Sequence, residues 1–334
     1  MKRLSTILFQ LEEACRLIDD GREDHLRLAL LLLDNAAELQ MDWAVRHEML
    51  WAESRERMRQ MALEVPAQER PPSLQELVEW QPLAKSQRAA IDRYFNEKVD
   101  YLSKLPEKFS PALAAPLKYL HKYRNQAYHR GEVRRKTLDI SCRLLVEIDC
   151  DLVRSLPYMF RSLSSKDDYS WLEQRYGNVS RLFGDDAFVE RATTELCERV
   201  FVDDAAVAAA LAEHLEARVA SLVDDLDFIL ENARGFTSRE EVLRTVQFVA
   251  SPEASKVRPG LTPPESYRPP VRLRSIEALR ERTTEISRSK SRIGAFAAYS
   301  VLEQELEKIE PDVQEAVYQV DMAIQEAIES SLGK

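Results

Sequence analysis

Glycine is scarce in this chain, with 8 in 334 residues where average usage gives about 23. No Gly-x-Gly-x-x-Gly or Gly-x-x-x-x-Gly-Lys-Ser/Thr run occurs, which excludes ordinary dinucleotide-binding turns and P-loops. The four cysteines (Cys15, Cys142, Cys150, Cys197) form no Cys-x-x-Cys pair. That excludes a zinc or redox site of that spacing, supplies no disulfide framework, and leaves each to read as a small buried apolar residue. The apolar runs, residues 28–33 and 205–212 among them, fall far short of the ~20 residues that a membrane span requires. The first residues meet Glu12 and Glu13 without a long apolar stretch, unlike a secretory signal. A soluble, cytoplasmic protein without membrane association is expected.

Metal signals are lacking too. The acidic doublets at 19–20, 167–168, 185–186, 203–204 and 224–225 have no histidine at Glu-x-x-His spacing and read mostly as helix caps. His25 and His214 have no partners at ligand spacing, and neither a Gly-x-Ser-x-Gly elbow nor a Cys/His catalytic signature is present. No metal and no cofactor are expected.

What is present is helix-forming material: 45% hydrophobic and 31% charged residues with a net charge of −10, enough to bury a core. The fold class is all-α. Residues 4–18 carry apolar side chains at helical spacing, closed by Asp19-Asp20-Gly21. A second helix runs from about Glu23 past Met58. Its first half, residues 26–43, is apolar nearly all round and belongs at the centre of a bundle. Pro66, Pro71 and Pro72 interrupt it, and another helix is predicted over 83–105. Ser110-Pro111 opens a helix toward His129, with a disturbance expected at Pro116 and a stop at Gly131. Residues 137–156 form a further amphipathic helix, and Pro157 closes a first unit, 1–157. A helical region, 158–250, follows. Six prolines between 252 and 270 mark a linker or extended strap over 251–270. Residues 271–334 return to helix, with apolar stripes that need a partner surface in this chain or in another copy.

The stretch Tyr123-Arg124-Asn125-Gln126-Ala127-Tyr128-His129-Arg130-Gly131 holds the candidate chemistry. Arg124 lies on the apolar stripe of its helix (Leu113, Leu117, Leu120, Ala127), where a guanidinium must be paired or face a polar cleft. The structural reading is an arginine satisfied by an acid from a neighbouring helix. His129 lies five residues on, about 140° around a regular helix, so the two converge only if the helix ends or distorts between them. Between 117 and 136 the charges are Lys118, Lys122, Arg124, Arg130, Arg134, Arg135 and Lys136 against Glu132 alone. This reversal of the chain's overall sign suits a phosphate backbone, and it also suits a solvated helix end. Tyr119, Tyr123 and Tyr128 can stack on bases or pack in the core.

The run Arg124-Asn125-Gln126-Ala127-Tyr128-His129 resembles the ribonuclease motif of the HEPN superfamily: arginine, a polar residue that is often asparagine, a few further residues, then histidine. The segment from Leu32 to Leu39, with Asp34 and Glu38 four apart on one face, is similar to the polar-studded inner helix of that family. The resemblance covers 1–157, with 59–109 as an insertion. It implies a helical bundle acting as a metal-independent endoribonuclease, as a homodimer whose two motifs line one cleft. By that resemblance Arg124 stabilises the phosphate, His129 transfers protons, and Asn125 orients one of them or the RNA. Asp34 and Glu38 orient Arg124 or His129, or simply make a bundle ion pair; Tyr128 supports the site, and Lys118, Lys122, Arg130, Arg134 and Arg135 bind RNA. A toxin or antiphage effector with an antitoxin or defence-system partner is the setting the resemblance suggests. Some family members carry a modifiable tyrosine two residues after the histidine. Here Gly131 stands there, so that form of regulation is not expected. The rival reading is a non-catalytic HEPN-like bundle that serves in assembly or in nucleotide or RNA binding.

Overall fold

The computed structural model describes residues 3–105, 109–129, 135–155, 170–177, 186–254 and 263–331. For residues 3, 126–129, 135, 136 and 331 it describes the backbone alone. Among the described residues the fold is all-α: fourteen helices, two short 3-10 turns and no strand. Among these residues no helix is long and apolar enough to cross a membrane. The chain divides into two compact units, Met1–Val202 and Asp203–Lys334.

In the first unit α1 (Arg3–Asp20) turns into α2 (Glu23–Leu63). Gly21 makes the corner with φ +68, the left-handed conformation that only glycine adopts cheaply, and its N–H bonds to the Leu17 carbonyl at 3.3 Å. Glu23 and Asp24 stand at the positive N-terminal end of α2, where carboxylates are favourable. As its composition predicts, the first half of α2 is central: Leu26, Leu30, Leu33, Ala37 and Met41 are buried. Packed on this helix are α1, α3 (Pro72–Glu79), α5 (Phe95–Leu102), α6 (Ala114–His129) and α7 (Arg135–Ser155).

The helix predicted over 83–105 is two helices, α4 (Lys85–Arg93) and α5. Tyr94 between them has an extended backbone, φ −111 and ψ 128. No proline or glycine causes this break. Its effect is to bring Phe95 onto α6, where its ring stacks on His121 with centroids 4.1 Å apart. Pro116 does not disturb α6. It sits in the first turn, where a missing N–H costs nothing, after a 3-10 turn over Pro111–Leu113.

The first unit also extends beyond the boundary expected at 157. The helices α8 (Ser170–Tyr176) and α9 (Asp186–Arg199) belong to it, because α9 buries Phe188, Val189, Ala192 and Leu196 against α7 and α1. Arg199 pairs with Asp19 and Glu12, and Tyr176 donates to Glu12 at 2.6 Å.

In the second unit α10 (Asp204–Asn232) is the axis, with α11 (Arg239–Ala250), α12 (Leu273–Ser287), α13 (Arg292–Leu306) and α14 (Glu310–Ser331) packed on it. Asp203 caps α10 by accepting from the Ala206 N–H at 3.0 Å, as the doublet predicts. Asp224-Asp225 does not cap; it lies inside α10. The described part of the proline-rich segment is a strap on α11: Gln247 donates to the Val271 carbonyl and accepts from its N–H, each at 2.9 Å. Tyr267 is buried there against Phe248. On α14 the predicted stripe is only partly covered: Val313 is buried, Val317, Val320 and Ile324 are half-buried, and Ile328 is exposed.

Candidate functional site

The site forms where the central stretch of α2 faces α6. Asp34 and Glu38, one helical turn apart on α2, face His121 and Arg124, one turn apart on α6. Asp34 is 2% exposed, and one carboxylate grips both α6 residues. Its Oδ2 accepts from Arg124 Nε at 2.6 Å and from Nη2, and its Oδ1 pairs with His121 Nδ1 at 2.9 Å. Glu38 Oε1 lies 3.7 Å from both Arg124 Nη2 and His121 Nδ1. Arg124 Nη1 donates to Asn125 Oδ1 at 2.7 Å, so the guanidinium is held on three sides while remaining 22% exposed.

Arg124 therefore does occupy an inward position, and the acid that satisfies it comes from the neighbouring helix. Two guanidinium N–H groups converging on one carboxylate oxygen, with Asn125 on a third, fix the guanidinium plane as well as its charge. His121 was missed in the sequence. The signal for it is its place three residues before Arg124, on the face that Asp34 and Glu38 meet. The Nδ1 of His121 faces Asp34, and the stacked Phe95 ring fixes its plane.

The helix runs on without a break to His129. The backbone therefore separates positions 124 and 129 by about 140° around the axis, and no distortion brings them to one face. The side chains of Tyr128, His129 and Arg135, and residues Arg130 and Arg134, lie outside the described residues. Of the remaining candidates for RNA contact, Lys118 pairs with Asp100 and Lys122 is exposed. Tyr119 and Tyr123 are buried and stacked on each other with centroids 6.1 Å apart, so these two rings serve the core rather than bases.

Asp34, Glu38 and His121 offer ligand atoms within 4.8 Å of one another, a donor set a divalent cation can use. Arg124 lies on both carboxylates and supplies the positive charge there. Beneath the site, Gln40 Nε2 donates to Asp149 Oδ1 at 3.1 Å between α2 and α7. Burial, and then the charge of Asp34, push the Asp149 carboxyl well above its ordinary range. Protonated, Asp149 has a hydroxyl to donate, and both Gln40 Oε1 and Asp149 Oδ2 otherwise lack partners.

This carboxyl gives a pH prediction. With the folded pKa raised, the proton on Asp149 favours the fold fully below the unfolded value near 3.9, and that contribution is lost as pH rises toward the folded value. Each pH unit in that window costs about 1.4 kcal/mol. Asp149→Asn keeps the shape and needs no proton. Urea unfolding at pH 4 and pH 7.5 is expected to show near-equal stability at the lower pH and a more stable variant at the higher. A wild-type protein equal to or more stable than the variant at pH 7.5 contradicts the assignment.

No protein-family model, curated protein or solved structure matches the chain.

Proposed function

We propose that the first unit is a metal-independent endoribonuclease of HEPN type, acting as a homodimer on RNA. What supports the reading is the resemblance of the Arg124–His129 run, together with a guanidinium at Arg124 that remains 22% exposed while held by Asp34 and Asn125. A guanidinium on an inward stripe, held in plane beside Asn125 and still 22% exposed, can meet a phosphate, whereas position 129 lies about 140° round the same helix and does not share its face. The cleavage needs three things: a base for the 2′-OH, positive charge on the phosphorane-like transition state, and a proton for the departing 5′-oxygen. Arg124 supplies the charge. The resemblance gives proton transfer to His129, while the geometry adds His121, oriented by Asp34. The O2′–P bond forms as the P–O5′ bond breaks, leaving a 2′,3′-cyclic phosphate and a 5′-hydroxyl.

The test is incubation of purified protein with total RNA in excess chelator, beside His129→Ala and His121→Ala. Cleavage with cyclic phosphate ends is expected, falling by roughly 10²–10⁴-fold without His129. Loss only in His121→Ala moves proton transfer to the Asp34–His121 pair. The neutralisation of Arg124 by Asp34 favours a second reading, a non-catalytic assembly or RNA-binding bundle. A folded dimer that binds RNA without cleaving it would establish that reading instead.

A further inference from the structure

Arg124 uses one oxygen of Asp34 and leaves the other. Its Nε and Nη2 both fall on Oδ2, while Oδ1 faces His121 Nδ1 at 2.9 Å. Glu38 Oε1 lies 3.7 Å from His121 Nδ1 and 3.7 Å from Arg124 Nη2, beyond hydrogen-bond length from either. Asp34 Oδ1, Glu38 Oε1 and His121 Nδ1 therefore form a group of three ligand atoms that Arg124 does not hydrogen-bond. Two carboxylates against one guanidinium also leave one negative charge among Asp34, Glu38 and Arg124 unbalanced.

We infer that Asp34, Glu38 and His121 bind a single zinc-type divalent cation, which bridges α2 to α6 and keeps a fourth position open to water or an anion.

The spacing fits that ion. In a tetrahedral zinc site with bonds of roughly 2.0–2.1 Å, ligand atoms stand about 3.3 Å apart. The separations of 2.9 Å and 3.7 Å from His121 Nδ1 bracket that value. All three residues offer ligand atoms within 4.8 Å of one another, and a small movement of the Glu38 side chain, 41% exposed, completes the closure. One imidazole with two carboxylates is a donor set for zinc and its transition-metal neighbours, whereas magnesium and calcium prefer oxygen alone.

The surroundings prepare the ligands. Arg124 holds Asp34 by Oδ2, which orients Oδ1, and the Phe95 ring, 4.1 Å from the imidazole, sets the plane of His121. Such outer partners are what fix metal ligands in place. Asp34, 2% exposed, closes the inner side of the site, and the more open Glu38 provides the path of entry. Coordination takes the Nδ1 lone pair, so the ring proton stays on Nε2 and any proton shared between Nδ1 and Asp34 is released. The site does not rest on the nuclease reading: cleavage is tested in chelator, and the cation is tested without RNA.

The test dialyses the chelator-treated full chain against zinc, and in parallel against cobalt(II), and counts the bound metal by atomic emission. One zinc per chain is expected. Cobalt is expected to give the intense visible absorption of a four-coordinate ion, which zinc abolishes and equimolar magnesium does not. Zinc should also raise the urea midpoint followed by tryptophan fluorescence, because the cation binds the folded first unit. Glu38→Gln is expected to keep the fold and to weaken zinc binding by more than roughly 10–100-fold, the loss that outer partners alone produce; His121→Ala is expected to do the same. His25→Ala, which removes the exposed Asp20–His25 pair at 3.3 Å on the same helix, should bind as the wild type does. Glu38→Gln alone decides if His121→Ala does not fold. Absence of bound zinc, zinc that survives Glu38→Gln unweakened, or loss of binding in His25→Ala overturns the proposal.

Discussion

Arg124→Met is expected to destabilise the first unit by about 3–5 kcal/mol, the range for breaking a buried ion pair from one side. The cost arises from what remains. Asp34, 2% exposed, would be left with only His121 within hydrogen-bonding distance. The reverse change is milder, because Arg124 is 22% exposed and still has Glu38 and Asn125 within reach when Asp34 is removed. Asp34→Leu combined with Arg124→Met removes both charges and should recover most of the loss, since a buried pair is often replaceable by apolar groups of similar volume. The double variant separates two roles of this arginine. If Arg124 also meets phosphate, the restored protein folds yet cleaves RNA roughly 10²–10³-fold more slowly. If the pair serves packing alone, any activity returns with the fold. All four tryptophans (Trp43, Trp51, Trp80, Trp171) lie in the first unit, so fluorescence-detected urea unfolding reports this change directly. A single Arg124→Met within about 1 kcal/mol of wild type would contradict the assigned burial cost.

Much of this site is legible in sequence because each polar intrusion interrupts an apolar pattern. Arg124 breaks the stripe of α6, and Asp34 breaks the most apolar stretch of α2; the structure joins the two. His121 was not legible by that route. It sits among basic and aromatic residues, and only the position of α2 shows that it shares Asp34 with Arg124. The extent of the first unit is hard to read from sequence because Pro157 resembles a boundary while the apolar face of α9 gives no sign of where it docks. Helix α2 was readable because hydrophobicity on all sides leaves a helix nowhere but the centre. The break at Tyr94 has no such marker, and its stacking consequence at Phe95 appears only in three dimensions.

In the second unit the largest effect is expected at Arg218, which joins three helices. It is buried on α10, with Nε donating to Glu310 Oε1 at 3.0 Å, Nη2 to the other Glu310 oxygen, and Nη1 to Glu303 on α13. Tyr299 donates to Glu303 at 3.0 Å and lies 2.7 Å from His214 Nδ1. Burial, and then Glu307 and Glu310, push the Glu303 carboxyl well above its ordinary range. Arg218 and Glu310 are therefore the principal ion pair, with Glu303 as the group that gains a proton most readily. Arg218→Met is expected to cost about 3–5 kcal/mol at neutral pH. Removing the cation strengthens the hold of Glu303 on its proton. The variant is thus stabilised by protonation below the unfolded carboxylate range and loses that contribution as pH rises through the folded value. The gap between wild type and variant should accordingly widen with pH. Because the second unit has no tryptophan, its unfolding is followed by far-ultraviolet circular dichroism beside fluorescence. If the units unfold independently, Arg218→Met moves the dichroism transition and leaves the fluorescence transition in place, whereas Arg124→Met chiefly moves the latter. An Arg218→Met gap that narrows with increasing pH would contradict the placement of Arg218 as the cation holding these carboxylates.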